Sequence, residues 1–240
     1  MQPAKNHVYL WRGRIHYGFQ RGIVNEAHGH YAASILYSLD APLRLNYADG
    51  TMESQGVILA PHFKHQLVAP DMRLLGLLLD PDGVEFEFLG SRFGPAGLRA
   101  LPAGVLQSLD LEIGDLFLGV HDCVAAGELF AHILAELTGK PESALPRPED
   151  SRRRQVDPRI RTALDFLQDE LPETIPVARL AEMAKLSSDR FMHLFKEQLG
   201  LPVRRYLLWL KLQRAARLLT DGSTLTEAAH SAGFSDSAHM

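Results

Sequence analysis

The sequence has almost no cysteine: Cys123 is the single thiol in a chain of 240 residues. One cysteine excludes an internal disulfide framework and the zinc modules that need several thiolates. No apolar run approaches the ~20 residues that span a bilayer, and residues 1–11 lack the apolar centre of a signal peptide. We therefore expect a reduced, cytoplasmic protein that has no contact with a membrane.

The chain also lacks a strong charge of either sign. It carries 25 basic and 29 acidic side chains, and its last hundred residues are near balance, with 15 basic and 14 acidic. Net charge therefore does not predict nucleic-acid binding, which has to be argued from the positions of individual lysine and arginine side chains. Apolar residues make up 46% of the chain, which excludes a disordered or low-complexity protein.

Common catalytic motifs are missing as well. The sequence contains neither the nucleophile elbow Gly-x-Ser-x-Gly nor the phosphate-binding Gly-x-x-x-x-Gly-Lys. These absences favour a binding protein over an enzyme, and we expect no catalytic activity.

Prolines and charges divide the chain near residue 140. Between residues 139 and 158 the sequence has four prolines and the arginine run 152–154, a composition typical of an exposed linker. We predict one domain over residues 1–138, a linker over residues 139–156 and a second domain over residues 157–240.

The first domain is predicted to begin as a set of short strands. Their even spacing and turn signals such as Asp49-Gly50 favour a small barrel or jelly roll. From about Pro95 to Leu137 the apolar period becomes helical, and its stripe either packs on the barrel or pairs with a second copy. The predicted strands are 8–11, 15–19, 31–39, 43–47, 56–61, 74–79 and 84–88, and the stripe is Ala125, Leu129, Ile133 and Leu137.

Two segments of the second domain repeat one pattern: a short helix, a tight turn and a further helix. The turns fall at residues 184–186 and 232–234, and Lys185 and Gly233 at their centres must adopt a left-handed backbone conformation. That conformation costs ~1–2 kcal/mol for a residue with a side chain. Two such units joined by one long helix are typical of helix-turn-helix proteins. The helix after the first turn is expected to start at a Ser187 cap and to bury Phe191, Leu194 and Phe195.

Three stretches of this region match the pattern of a known family. Leu-Ser-Ser-Asp-Arg-Phe-Met-His-Leu-Phe-Lys-Glu-Gln-Leu-Gly-Leu-Pro at 186–202 and the segment 226–239 resemble the two motifs of AraC/XylS-type transcription regulators. Between them, Tyr206, Lys211, Ala215 and Leu218-Leu219 match the family's linking helix. Family members continue past the position of Met240, so the second motif is expected to be incomplete in this chain.

The resemblance implies a sequence-specific regulator that binds double-stranded DNA and contacts the transcription machinery. It also implies a first domain that binds an unknown small-molecule effector, forms a homodimer, or does both.

The first recognition helix is expected to present its polar face to DNA. By the family pattern Asp189, Met192 and His193 fall on base-contacting positions. His193 can donate to a base acceptor, Asp189 can accept from a cytosine amino group, and Met192 can contact a thymine methyl. An ordinary solvent-exposed face is the alternative for each of them. Ser188 belongs to the same face, and the candidate phosphate contacts are Arg190, Lys196, Arg204 and Arg205.

The first domain contains a His-x-His pair, His28 and His30, and a later histidine, His65. Residues two apart on a strand share a face, so this set resembles the two motifs of cupin barrels, although the usual cupin glutamate is missing. Imidazoles suit a divalent metal such as zinc, iron or nickel. The alternatives are an effector pocket lined by the three histidines and Tyr37, or ordinary hydrogen-bonded histidines.

The sequence as a whole predicts an α+β protein. A cupin-like β-barrel with trailing helices is expected to precede an all-α domain with tandem helix-turn-helix motifs. The predicted function is DNA-binding transcription regulation. The alternative is a metal-dependent cupin enzyme or a small-molecule-binding module with a helical appendage.

Overall fold

A computed structural model describes residues 6–11, 13–29, 31–81, 83–94, 96–144, 156–169, 175–199, 202–220 and 223–234. The chain divides into two compact units, residues 1–150 and residues 151–240. Their boundary falls inside the predicted linker, of which residues 145–155 lie outside the described residues.

The first unit places short strands in two antiparallel sheets and covers one sheet with helices. The larger sheet has the order β1-β2-β9-β4-β7-β10 and the smaller sheet has the order β3-β8-β5-β6. The strands are β1 His7–Trp11, β2 Arg14–Phe19, β3 Gly22–Val24, β4 Ala33–Ser38, β5 Leu43–Tyr47, β6 Gly50–Ser54, β7 Gly56–Leu59, β8 His65–Pro70, β9 Leu74–Leu79 and β10 Leu98–Ala100. The helices are α1 Val84–Leu89, α2 Asp110–Leu118 and α3 Cys123–Thr138.

The larger sheet is covered on both faces, so every residue of β4 and β9 is buried and most of them are apolar. Its inner face packs on the smaller sheet, where Leu36 of β4 meets Leu45 and Leu67 in one apolar cluster. Its outer face packs on the helices, where Ile35 and Tyr37 of the same strand join a second cluster. Neighbouring residues of β4 therefore belong to different cores, because successive side chains on a strand point to opposite faces.

The prediction of a strand at residues 84–88 is wrong, because Val84–Leu89 forms helix α1. The segment alternates apolar and acidic residues, but Val84, Phe88 and Leu89 also recur at helical spacing and are the residues that become buried. A segment this short satisfies both periods, so its packing against α3 decides the outcome. The converse difference occurs at strand β10, which lies inside the region 95–137 that was expected to be helical. This strand pairs with β7.

The predicted helix with an apolar stripe is confirmed as α3, but the stripe is covered by its own unit. Leu129, Ile133 and Leu137 are buried in the cluster that α3 shares with the larger sheet. The hypothesis that this stripe pairs with a second copy is therefore wrong, because the side chains it needs are already packed.

Every regular element in the described residues of the second unit is a helix, as predicted. Its core contains Phe191, Phe195 and Tyr206, and the ring of Phe195 lies 5.6 Å from each of the other two ring centroids. The predicted cap is present, since the backbone N–H of Arg190 donates to Ser187 Oγ at 3.3 Å. The helices are α4 Pro158–Asp169, α5 Val177–Met183, α6 Ser188–Leu199, α7 Val203–Thr220 and α8 Leu225–Ser231.

Candidate nucleic-acid interface

Helices α5 and α8 end in the same hydrogen-bonded turn. After each helix the backbone forms two hydrogen bonds, one closing a four-residue segment and one closing a six-residue segment. This is the pattern of a Schellman motif. The bonds of the first turn are Lys185 N to Glu182 O and Leu186 N to Ala181 O, both 2.9 Å, and those of the second are Gly233 N to His230 O and Phe234 N to Ala229 O, both 2.9 Å.

The central residue of each turn has the predicted left-handed backbone. Lys185 has a φ of 54° and Gly233 has a φ of 83°. Glycine adopts this conformation without steric cost, whereas lysine does not. The turn geometry predicted from the sequence is therefore confirmed at both positions, and α6 follows the first turn as the recognition helix of a complete helix-turn-helix. The predicted helix start at residues 235–237 lies outside the described residues.

Helix α6 separates cleanly into a buried and an exposed side. Phe191, Leu194 and Phe195 are buried, as predicted, so the opposite side of the helix faces outward. Of the predicted DNA contacts on α6, Ser188 is half-buried and Asp189, Arg190, Met192, His193 and Lys196 are exposed, as are Arg204 and Arg205 in the first turn of α7. Their exposure fits the role, and the individual contacts with bases and phosphates stay predictions.

Helix α4 is joined to α6 by side-chain contacts that no local feature of the sequence indicated. The backbone N–H of Asp157 donates to Gln198 Oε1 at 2.7 Å, which ties the start of α4 to the last turn of α6. Arg159 donates to the Asp157 carboxylate at 2.7 Å. Hydrogen bonds from Arg159, with the charges of Arg159 and Arg190, lower the pKa of Asp157 to about 2. The carboxylate at this helix start is therefore ionised at neutral pH.

Lys211 links the long helix α7 to the second turn. Its Nζ donates to the carbonyl oxygen of Gly233 at 2.8 Å and so satisfies a group at the end of a helix. The sequence singled out Lys211 as part of the family pattern, but the distance to Gly233 along the chain hid the partner.

In the first unit the structure brings His28 and His65 together. They form an isolated antiparallel bridge with backbone bonds of 2.9 and 2.8 Å, and their ring centroids lie 4.7 Å apart. Each Nδ1 faces a backbone carbonyl, that of Glu26 at 3.0 Å and that of Phe63 at 2.9 Å. A carbonyl only accepts, so Nδ1 carries a hydrogen in both rings, and in a neutral ring of this kind the lone pair lies on Nε2. Burial lowers the pKa of His65, which favours this neutral form.

The other residues of the predicted effector site do not all join this pair. Tyr37 lies on the helix-facing side of the larger sheet, where its hydroxyl donates to Asp110 at 2.9 Å. His65 shares a strand face with Leu67, which packs between the two sheets. Tyr37 is therefore not brought together with His65, and His30 lies outside the described residues. Within the described ranges, no group of three or more histidine, cysteine, aspartate or glutamate side chains is arranged to hold a metal.

The two turns, the long helix between them and the outward face of α6 define a helix-turn-helix protein with an antiparallel β unit before it. A family described as a helix-turn-helix domain matches residues 180–240. With the motifs at 186–202 and 226–239, this match shows that the chain carries an AraC-type helix-turn-helix domain at its C-terminus.

Two curated relatives are similar to this chain. The HTH-type transcriptional regulator YbfI of Bacillus subtilis is 28% identical over 118 residues, and the HTH-type transcriptional activator RhaS of Pectobacterium carotovorum is 29% identical over 163 residues. These matches cover 47% and 67% of this chain but only 40% and 55% of the relatives.

Solved structures of ToxT from Vibrio cholerae share the fold. The match with ToxT from strain O395 covers 98% of this chain and 90% of the ToxT chain, with a TM-score of 0.51 at 9% identity. The wild-type ToxT of strain SCE256, described as bound to an unsaturated fatty acid, gives a TM-score of 0.50 at 10% identity, with 100% of this chain and 91% of that one covered. Among the described residues there is no helix whose length and apolar character suit a bilayer.

Proposed function

We propose that this chain regulates transcription by binding duplex DNA with α6. The observation that carries the proposal is the exposed face of α6, which follows directly on a helix-turn-helix turn. A recognition helix places its N-terminal residues against base edges, and Asp189, Met192 and His193 are exposed on the first half of α6.

The chemistry of that face suits the edges of the major groove. A carboxylate at Asp189 accepts from a cytosine amino group, and it repels phosphate if α6 is placed wrongly. The imidazole of His193 offers a donor to a purine acceptor, and the exposed thioether of Met192 fits a thymine methyl. The four arginines and lysines at Arg190, Lys196, Arg204 and Arg205 supply the attraction to phosphate that orients the helix without reading sequence.

A competition gel shift of the full chain tests this function. Labelled duplex is first selected from random sequences by its binding to the protein, and it is then competed with unlabelled selected or random duplex. We expect random competitor to be needed in ~10³-fold or greater excess, the lower range for specific DNA recognition. Equal competition by the two duplexes, or no retarded band, would contradict the proposal.

For the first unit we propose a ligand site at His28 and His65. The two imidazoles lie side by side, and Nδ1 of each faces a backbone carbonyl, an arrangement by which metal-binding histidines are oriented. The rings of Phe63 and Tyr47 lie next to them, with Phe63 6.4 Å from His65 and 5.8 Å from Tyr47. The occupant is a small molecule with a polar group or a divalent metal. Effector binding to this fold is supported by the fatty acid described with ToxT.

Thermal unfolding with and without Ni²⁺ or Zn²⁺ tests the metal alternative. A ligand at a hundred times its dissociation constant stabilises the folded state by ~2.7 kcal/mol. We expect a rise in Tm for the wild type that His28→Ala removes and that His132→Ala, a change on α3, retains. An equal rise in all three proteins would place the metal elsewhere.

We also propose that the chain forms a homodimer through exposed apolar side chains of α2, the turn after it and the first turn of α3. Leu111 and Leu118 are 86% and 72% exposed and lie seven positions apart, on one face of α2. Val120 and Val124, each 68% exposed, follow directly. Apolar groups concentrated in this way favour an interface, and a second copy would present a second α6 to the DNA.

Sedimentation of the full chain distinguishes this surface from others. Glutamate at Leu118 and Val124 together is expected to convert a dimer to a monomer, because the charges would have to be buried without partners. Val24→Glu is the matched control, since Val24 is 57% exposed on strand β3. A dimer that survives both sets of changes would contradict the assignment.

A further inference from the structure

Lys185 is held in a conformation that its residue type disfavours. Its φ of 54° lies in the left-handed region, and its side chain is exposed at the turn before α6. The equivalent position of the second turn is Gly233, which adopts the same backbone at no steric cost. Because the exposed side chain packs in no core, packing does not explain a lysine at this position. An unfavourable conformation at such a place points to a role for the side chain itself.

The surroundings leave the Lys185 ammonium available to a partner outside the chain. In the described part of the chain, no carboxylate lies within ion-pair distance of it. Glu182, the acid one turn earlier on α5, is already engaged by Arg179 at 2.7 Å. The position is also close to the DNA-reading end of α6, because Lys185 precedes the first residue of that helix, Ser188, by only three positions.

We propose that Lys185 binds a phosphate of the DNA backbone at the edge of the groove that α6 enters. The proposal rests on the proposed function of α6 and adds a contact that the helical face alone does not include. A recognition helix enters the groove by its N-terminal end, so the turn before it passes beside the sugar-phosphate chain. Glycine at this position would fold more easily but would carry no charge. Lysine adopts the same conformation with strain, but its ammonium group can bind the phosphate.

Replacing Lys185 by glycine separates backbone strain from charge. It relieves the strain of the left-handed conformation, and it removes the ammonium group. We expect Lys185→Gly to unfold at or above the wild-type temperature and yet to bind DNA more weakly. The probe is a fluorescent duplex of random sequence, titrated between about 50 and 200 mM salt. One lost phosphate contact reduces the slope of log K against log salt by about 0.9. Lys185→Arg keeps a cation and is expected to retain the wild-type slope.

Arg99→Gln is the control for charge alone, since Arg99 is exposed on strand β10 of the first unit. Its slope is expected to match that of the wild type. A Lys185→Gly protein that keeps the wild-type affinity and slope would overturn the contact while leaving DNA binding by α6 intact. A wild-type protein that fails to bind any duplex would overturn both the contact and the proposed function.

Discussion

Phe195→Ala is expected to destabilise the second unit by ~3–5 kcal/mol, the range for removing a buried aromatic ring. Phe195 is fully buried and its ring contacts those of Phe191 on α6 and Tyr206 on α7. The cavity would therefore open where the recognition helix meets the long helix. Domains are stable by only ~5–15 kcal/mol, so this loss would remove a large share of the free energy of unfolding of the second unit.

Chemical denaturation followed by circular dichroism measures the change. DNA affinity should fall on every sequence, because α6 loses its support rather than a single contact. Met192→Ala on the same helix is the matched control for stability alone: its side chain is 41% exposed, and surface changes usually stay within ~0.5 kcal/mol. A Phe195→Ala protein that unfolds at the wild-type denaturant concentration would show that this aromatic cluster does not stabilise the unit.

His193→Ala is expected to weaken binding to a selected duplex by about 5- to 150-fold, since a good base contact provides ~1–3 kcal/mol of discrimination. His193 is exposed on the outward face of α6, so its removal should leave the fold unchanged. Affinity for random duplex should change little, because the imidazole is proposed to contact a base rather than a phosphate.

Both affinities are measured at one fixed salt concentration, since phosphate contacts make each of them salt-dependent. Glu197→Ala is the control, because Glu197 is exposed on α6 one turn beyond His193. If the ratio of selected to random affinity is the same in His193→Ala and wild type, His193 does not read a base.

The second unit could be predicted closely from the sequence because its signals are local. The Ser187 cap, the turn centred on Lys185 and the buried spacing of Phe191 and Phe195 all lie within one short stretch. Even the strained backbone of Lys185 could be predicted, since the geometry of the turn requires it whichever residue is present.

The first unit was less predictable because its structure depends on partners distant in the chain. The strands were found where an apolar run was long enough, but Val84–Leu89 fits two periods and only packing chooses between them. The stripe of α3 was recognisable, whereas the sheet that covers it was not.

The candidate ligand site shows the same limit. The sequence indicated that His28 and His65 belong together, and the bridge between them fits that prediction. Tyr37 was chosen by residue type, and its position in β4 directs it to the other core. The bond from Lys211 to Gly233 was hidden for a similar reason, because nothing local to either residue specifies the other.

The central claim is that the outward face of α6 reads DNA sequence. Selection from a random duplex library by the wild-type chain and by Asp189→Asn tests it most directly, since the change replaces one carboxylate oxygen by an amide donor at a single exposed position. We expect the wild type to enrich one shared sequence and Asp189→Asn to change the preferred base at one position within it. Enrichment of the same sequence by both proteins, or of none by the wild type, would contradict the claim.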